Sequence, residues 1–121
     1  MRTGRTVAAL CVAAIVVGLG VAGCGDPVAK QRTLCRAQAA VQCDRIYTCP
    51  ALSDMRGNWT SKGACSAQRG ALCDEDVLCP GTYHADNDQA CLDARNAVTC
   101  DQLDADPNAL LPQVCLDVCT N

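Results

Sequence analysis

Two hydrophobic patterns divide the chain. From Val7 to Ala22 every residue is apolar or glycine, whereas beyond Cys24 apolar residues come singly or in short groups among Asp, Arg, Gln and Asn. No part of the second region alternates apolar and polar residues long enough to predict a strand, and its breaker-free runs suit helices. Asp26 is a good N-cap with Pro27 at the first helical position, and Ala, Gln, Arg and Leu continue to about Ile46, which predicts helix A. Helix B is expected from near Ser61 to about Asp76, weakened by Gly63 and Gly70. Helix C is expected after Asp86, where Gln89 completes a capping box, and ends near Leu103. Pro112 opens a short helix D on which Cys115 and Cys119, four residues apart, would share one face. The expected fold is all-α, a small disulfide-stapled domain of about three to four short helices.

The polar positions also repeat. Residues 35–50, CRAQAAVQCDRIYTCP, and residues 65–80, CSAQRGALCDEDVLCP, both fit C-x-A-Q-x4-C-D-x4-C-P at an offset of 30, with seven of sixteen positions identical. A weaker third copy, CLDARNAVTCDQLDADP at residues 91–107, keeps the Cys-Asp pair but has Asp106 where the third cysteine would fall. Related units of about this length suggest a duplicated helical element. Equal spacing in the first two units makes the numbers of Cys35 and Cys73 sum to the same 108 as those of Cys43 and Cys65. That equality is the condition for two rungs across an antiparallel helical hairpin, since eight residues rise about 12 Å and rotate a side chain by only about 80°. A pairing of helices B and C through Cys73–Cys91 and Cys65–Cys100 has nearly equal sums and stays open. The hairpin is similar in geometry to the twin C-x9-C hairpins of mitochondrial proteins, but with x7 in place of x9 only the geometry carries over.

The first 23 residues have the parts of an export signal: Arg2 and Arg5, an apolar run too short to span a bilayer comfortably, and small residues before a cysteine. Val21-Ala22-Gly23-Cys24 resembles the lipobox of bacterial lipoproteins. The resemblance implies removal of residues 1–23 as a signal peptide, fatty acyl chains such as palmitate on Cys24, a short tether over residues 24–26, and a cysteine-rich helical domain over residues 27–121. Two or more acyl chains anchor durably where one does not. In the family, Asp directly after the lipidated cysteine favours retention in the inner membrane of Gram-negative enteric bacteria. Gly25 stands there, so the resemblance implies a cell-envelope location and favours the outer membrane.

Composition changes the picture in two ways. Loss of Arg2 and Arg5 leaves eight basic against thirteen acidic residues, a net charge of −5, which argues against a nucleic-acid partner and against electrostatic adhesion to anionic lipid. Of twelve cysteines, Cys11 leaves with the signal and Cys24 is used by lipid. The remaining Cys35, Cys43, Cys49, Cys65, Cys73, Cys79, Cys91, Cys100, Cys115 and Cys119 are expected to form five structural disulfides, as exported domains with little core require. Phenylalanine is absent and the aromatics are Tyr47, Trp59 and Tyr83. The Ala-, Arg- and Asp-rich, lysine-poor mature part loosely resembles uncharacterised small cysteine-rich lipoproteins of myxobacteria, a resemblance that brings no activity with it.

Candidate chemistry is sparse. His84 is the only histidine and sits in the turn Pro80-Gly81-Thr82-Tyr83-His84, where it reads as a solvated loop residue. Cys115-x3-Cys119 has the spacing of half a zinc or copper site, but outside the cytoplasm its thiols should be oxidised. A thiol-disulfide enzyme would use C-x-x-C, which does not occur. Asp104-Ala-Asp106-Pro-Asn108 starts like a calcium loop but has Ala109 where glycine is needed and Cys115 where glutamate is needed, so an Asx-capped turn is expected. Trp59 is expected to close the core beneath the linker Pro50 to Gly63 rather than to anchor a partner. The sequence therefore predicts a non-enzymatic envelope lipoprotein without a cofactor. Its expected partners are membrane lipid through Cys24 and an envelope protein or polymer on the scaffold surface. A metal-binding protein using Cys115 and Cys119 is the alternative.

Overall fold

The structure is a computed structural model that describes residues 26–75 and 77–121. The lipobox and Cys24 lie outside the described residues. Helix α1 runs Pro27–Thr48. Asp26 starts it as the sequence predicts, its Oδ1 accepting from Val28 N at 3.0 Å and Ala29 N at 3.3 Å. These bonds satisfy two of the amide donors that a helix start leaves unpaired. Ala39, Cys43 and Ile46, spaced at four and three residues, form the buried stripe of α1, and Leu34, five residues before Ala39, is buried on a different side of the helix.

Pro50 stops α1, because it offers no amide donor for a further turn. The linker that follows opens with a 3-10 helix over Pro50–Asn58. It folds back so that Arg56 caps α1, Nε donating to Ile46 O at 2.7 Å and Nη2 to Cys49 O at 3.2 Å. Tyr47 Oη donates to Trp59 O at 3.1 Å and closes the same return. Trp59 packs against the cluster of Cys43, Ile46, Cys49, Leu52, Cys65, Val98 and Leu103, which is the core-closing role expected of it.

Helix α2 spans Lys62–Ala71, with Ser61 as N-cap accepting from Ala64 N at 3.0 Å. It ends earlier than the expected Asp76, tightening into a 3-10 turn over Leu72–Asp74. Acidic residues at its C-terminal end oppose the helix dipole, whereas Arg45 in the last turn of α1 complements it. The predicted helix C is two helices, α3 over Ala85–Ala97 and α4 over Cys100–Ala105. The capping box expected at Asp86 and Gln89 is absent, and Gln89 donates instead to Asp93 at 3.0 Å. The box belongs to Thr99 and Gln102: Gln102 N donates to Thr99 Oγ1 at 3.2 Å and Thr99 N to Gln102 Oε1 at 2.9 Å. Restarting the helix there turns Val98 into the core and presents Cys100.

Helix α5 is a single turn, Gln113–Leu116. Cys119 is not on it, which corrects the expected shared face with Cys115. Cys119–Thr120 forms strand β2, antiparallel to β1 at Thr82–Tyr83, with Thr82 opposite Thr120 and Tyr83 opposite Cys119. Two-residue strands carry no periodicity that a sequence could reveal.

All ten expected bridge cysteines pair with one another. Cys35–Cys73 and Cys43–Cys65 are the two rungs of the hairpin formed by α1 and the second repeat, and the alternative B–C pairing does not form. Cys79–Cys119 and Cys91–Cys115 make a second nested pair. Cys49–Cys100 interlocks with both pairs, joining the two halves. Each Cys-Asp of the first two repeats also meets a cation across the hairpin, Asp44 with Lys62 at 3.0 Å and Asp74 with Arg36. Such exposed ion pairs each contribute less than about 1 kcal/mol, so the bridges and the apolar stripe dominate.

Two variants test this architecture. Replacing Cys49 and Cys100 together by Ala should lower unfolding stability by about 4 kcal/mol, read by urea denaturation with the other four bridges intact. Gly81→Ala should cost about 1–3 kcal/mol by the same measurement, because its Cβ would lie 2.1 Å from Thr120 O and force the two strands apart.

Candidate functional site

Helix α3 turns the face that carries Cys91 inward, and residues three before and four after it come with it. Asp88 and Arg95 are consequently buried, at 4% and 8% exposure, in a domain whose interior is otherwise apolar and cystine. A buried charge is costly unless it is paired and hydrogen-bonded. Asp88 accepts from Tyr83 Oη at 2.6 Å and from Gln38 Nε2. Arg95 donates through Nε to Leu110 O at 2.8 Å and through Nη1 to Gln38 Oε1. Gln38 thus donates to the carboxylate and accepts from the guanidinium, linking α1 to α3. The Cys91 sulfur also lies 3.2 Å from Gln38 Oε1, a packing contact only, since a bridged sulfur has no proton to donate.

Charge shifts follow from this burial. The Tyr83 hydroxyl is raised above the usual tyrosine range, first by burial and then by its hydrogen bond to the Asp88 carboxylate. Burial lowers Arg95, Asp88 opposes that, and the Arg69 cation lowers it further. Arg69, on α2, donates through Nη1 to Gln42 Oε1 at 2.6 Å and stands over the Trp59 ring, 5.6 Å from its centroid. No carboxylate lies within ion-pair distance of Arg69 among the described residues.

Two open clefts meet along Gln42, Arg69 and Arg95. One, of about 360 Å³, is lined by Gln38 and Asp88 and by the apolar Ala39, Leu72, Leu78 and Val118. The other, of about 370 Å³, is lined by Ile46, Leu52, Met55, Leu110 and Leu111, with Asn108 at its edge. No protein-family model, curated protein or solved structure matches the chain.

The residues singled out from sequence are mostly elsewhere. Cys115 and Cys119 cannot act as a thiolate pair, because their sulfurs are bonded to Cys91 and Cys79, which removes the metal-binding alternative built on them. Among the described residues no group of three or more His, Cys, Asp or Glu is placed to hold a metal ion. His84 is not simply solvated: it is half-buried, its ring Nε2 lies 2.8 Å from Thr120 Oγ1, and its amide donates to Val118 O at 2.8 Å. Asp106 forms the expected Asx turn, accepting from Asn108 N at 2.9 Å. Gln38, Asp88, Arg69 and Arg95 were not legible as a site. A signal did exist in the spacing of Asp88, Cys91 and Arg95, which a helix places on one face with a cysteine that must be buried.

Tyr83→Phe should destabilise the domain by about 1–3 kcal/mol at pH 8 by leaving an Asp88 oxygen without its donor. The pH dependence should also change. A raised folded pKa contributes stability that is present below the ordinary tyrosine value near 10 and lost as pH rises above it. Urea unfolding should therefore show wild-type stability falling above about pH 10, with the Tyr83 part of that fall absent from the Phe variant.

Proposed function

We propose that the chain is a bacterial lipoprotein, cleaved before Cys24 and anchored by acyl chains on that residue, whose helical domain is a non-enzymatic binding scaffold at the cell envelope. What supports this reading is the lipobox Val21-Ala22-Gly23-Cys24 together with the bridge pattern. Ten cysteines beyond it pair among themselves, leaving none of them for Cys24. An even set of structural bridges with one extra cysteine directly behind a small-residue cleavage motif suits a lipid attachment site. No helix among the described residues is long and apolar enough to cross a membrane. In this proposal the lipid supplies the membrane affinity, which the acidic surface would not.

A scaffold locked by five bridges loses little conformational entropy on binding, so its surface is pre-organised for a partner. The partner is proposed to be an envelope protein or polymer, and Gly25 after the modified cysteine favours the outer membrane where the cell has one. Every described cysteine is oxidised, and the buried Asp88 carboxylate is held by Gln38 and Tyr83.

Intact and digested mass spectrometry of the protein made in a bacterial host tests the proposal in one experiment. The expected result is a chain beginning at Cys24, with acyl mass on that residue. Cys24→Ser should abolish the acyl mass and move the protein out of the membrane fraction. Wild-type protein with an unmodified Cys24 would overturn the anchor.

A further inference from the structure

The cleft bounded by α1, the 3-10 helix and the segment after α4 combines features that the stability of the fold does not require together. It is lined by two guanidinium groups, Arg69 and Arg95, two amides, Gln42 and Asn108, and six apolar residues, and among the described residues no carboxylate stands in its wall. In a chain with thirteen acidic residues that exclusion is a local reversal of charge. The one buried carboxylate near Arg95, Asp88, lines the neighbouring cleft instead, with Gln38 and Tyr83 on its oxygens.

Both arginines keep donors in hand. Arg69 spends Nη1 on Gln42 and its cationic face on Trp59, and Arg95 spends Nε and Nη1 on Leu110 and Gln38. Neither Arg69 Nε, Arg69 Nη2 nor Arg95 Nη2 has a hydrogen-bond partner among the described residues. The two guanidiniums hydrogen-bond neutral acceptors; Asp88 offsets part of the charge on Arg95 from the neighbouring cleft while the Arg69 cation acts against it, and a planar anion between the two would take their remaining N–H donors and favour both charges. The lips of the cleft are apolar and exposed, Met55 at 37% and Leu111 at 52%, so the ligand must carry an apolar body next to its charge.

We infer that this cleft binds a carboxylate attached to a compact apolar body, with Arg69 and Arg95 on the carboxylate and Met55, Leu110 and Leu111 on the body. That chemistry has two sources, a short branched free acid or the C-terminal residue of a peptide. The inference deepens the reading of the domain as a binding scaffold and does not depend on the lipid anchor.

Trp59, the single tryptophan of the chain, reports directly on Arg69 and supplies the readout. The full chain in nanodiscs is titrated with N-acetyl-leucine, 4-methylpentanoate and the uncharged N-acetyl-leucinamide while Trp59 fluorescence is followed. Saturable quenching or enhancement by the two carboxylates at millimolar concentration or below, and none by the amide, is expected. Tighter binding of N-acetyl-leucine assigns a peptide end, and tighter or equal binding of 4-methylpentanoate assigns the free acid. Arg69→Gln should weaken binding by about tenfold or more. Leu111→Asp, at an exposed position where folding is not at stake, should abolish it by placing a carboxylate in the cleft. Equal responses to acid and amide, or unchanged affinity in Leu111→Asp, would overturn the inference. Those outcomes leave the modification of Cys24, measured separately by mass, untouched.

Discussion

Cys49 leaves α1 where Pro50 forbids another turn, and its sulfur meets Cys100 in the first turn of α4. The other bridges close nested loops within one half of the chain or the other; this one crosses both sets. Around it lie Ile46, Leu52, Val98 and Leu103 of the apolar core cluster. A small domain with no phenylalanine cannot bury enough surface to fix the arrangement of its helices by packing alone. The covalent link at the centre therefore sets where each half lies, and packing fills in around it. Constraining the unfolded chain is the larger part of what such a link contributes in the chain-entropy account.

The same repeated sequence is put to different uses on the two sides of the hairpin. In the first unit the residues after the second cysteine stay helical through Thr48, with Arg56 satisfying the exposed carbonyls of the last turn. In the second unit the corresponding residues are acidic, oppose the dipole, and leave the helix. Release from the helix brings Cys79 to the edge of β2, where Gly81 admits the backbone of Thr120. One unit thus becomes a rigid strut and its copy becomes the connection to the C-terminal half. The equivalence survives in the rungs, where first and second cysteines of each unit pair reciprocally, and it is lost at the third cysteine.

Interior polarity is concentrated where the helices are held by hydrogen bonds rather than by bridges. Gln38 bonds both Asp88 and Arg95, its amide donating to the carboxylate and accepting from the guanidinium. A satisfied network of this kind specifies one register of α1 against α3, since a shift of either helix would strand a charge in the interior. Arg69 stands apart from that network, held by neutral groups at the junction of two clefts, and its cation is directed by Gln42 and Trp59 without being neutralised by them.

The sequence alone determined the helical class, the start of α1 at Asp26 and Pro27 and the start of α2 at Ser61, and its cysteine spacing offered both rungs of the hairpin beside a B–C pairing that only the tertiary structure excluded. Each of these depends on local spacing or on a side chain bonding its own backbone a few residues away. The break between α3 and α4 was also written locally, in Thr99 and Gln102, but Asp86 and Gln89 offered the same pattern and only burial of Val98 and Cys91 chose between them. The partners of Cys49, Cys79, Cys91, Cys115 and Cys119 were decided by tertiary structure, because they lie on a 3-10 boundary, a loop, helices of unequal length and a two-residue strand, which share no common period. Tertiary structure likewise decided the buried pair and the arginine-lined cleft. Asp88, Arg95 and Arg69 look like ordinary surface residues until the bridges turn their helix faces inward, and charge spacing along a chain does not reveal which face that will be.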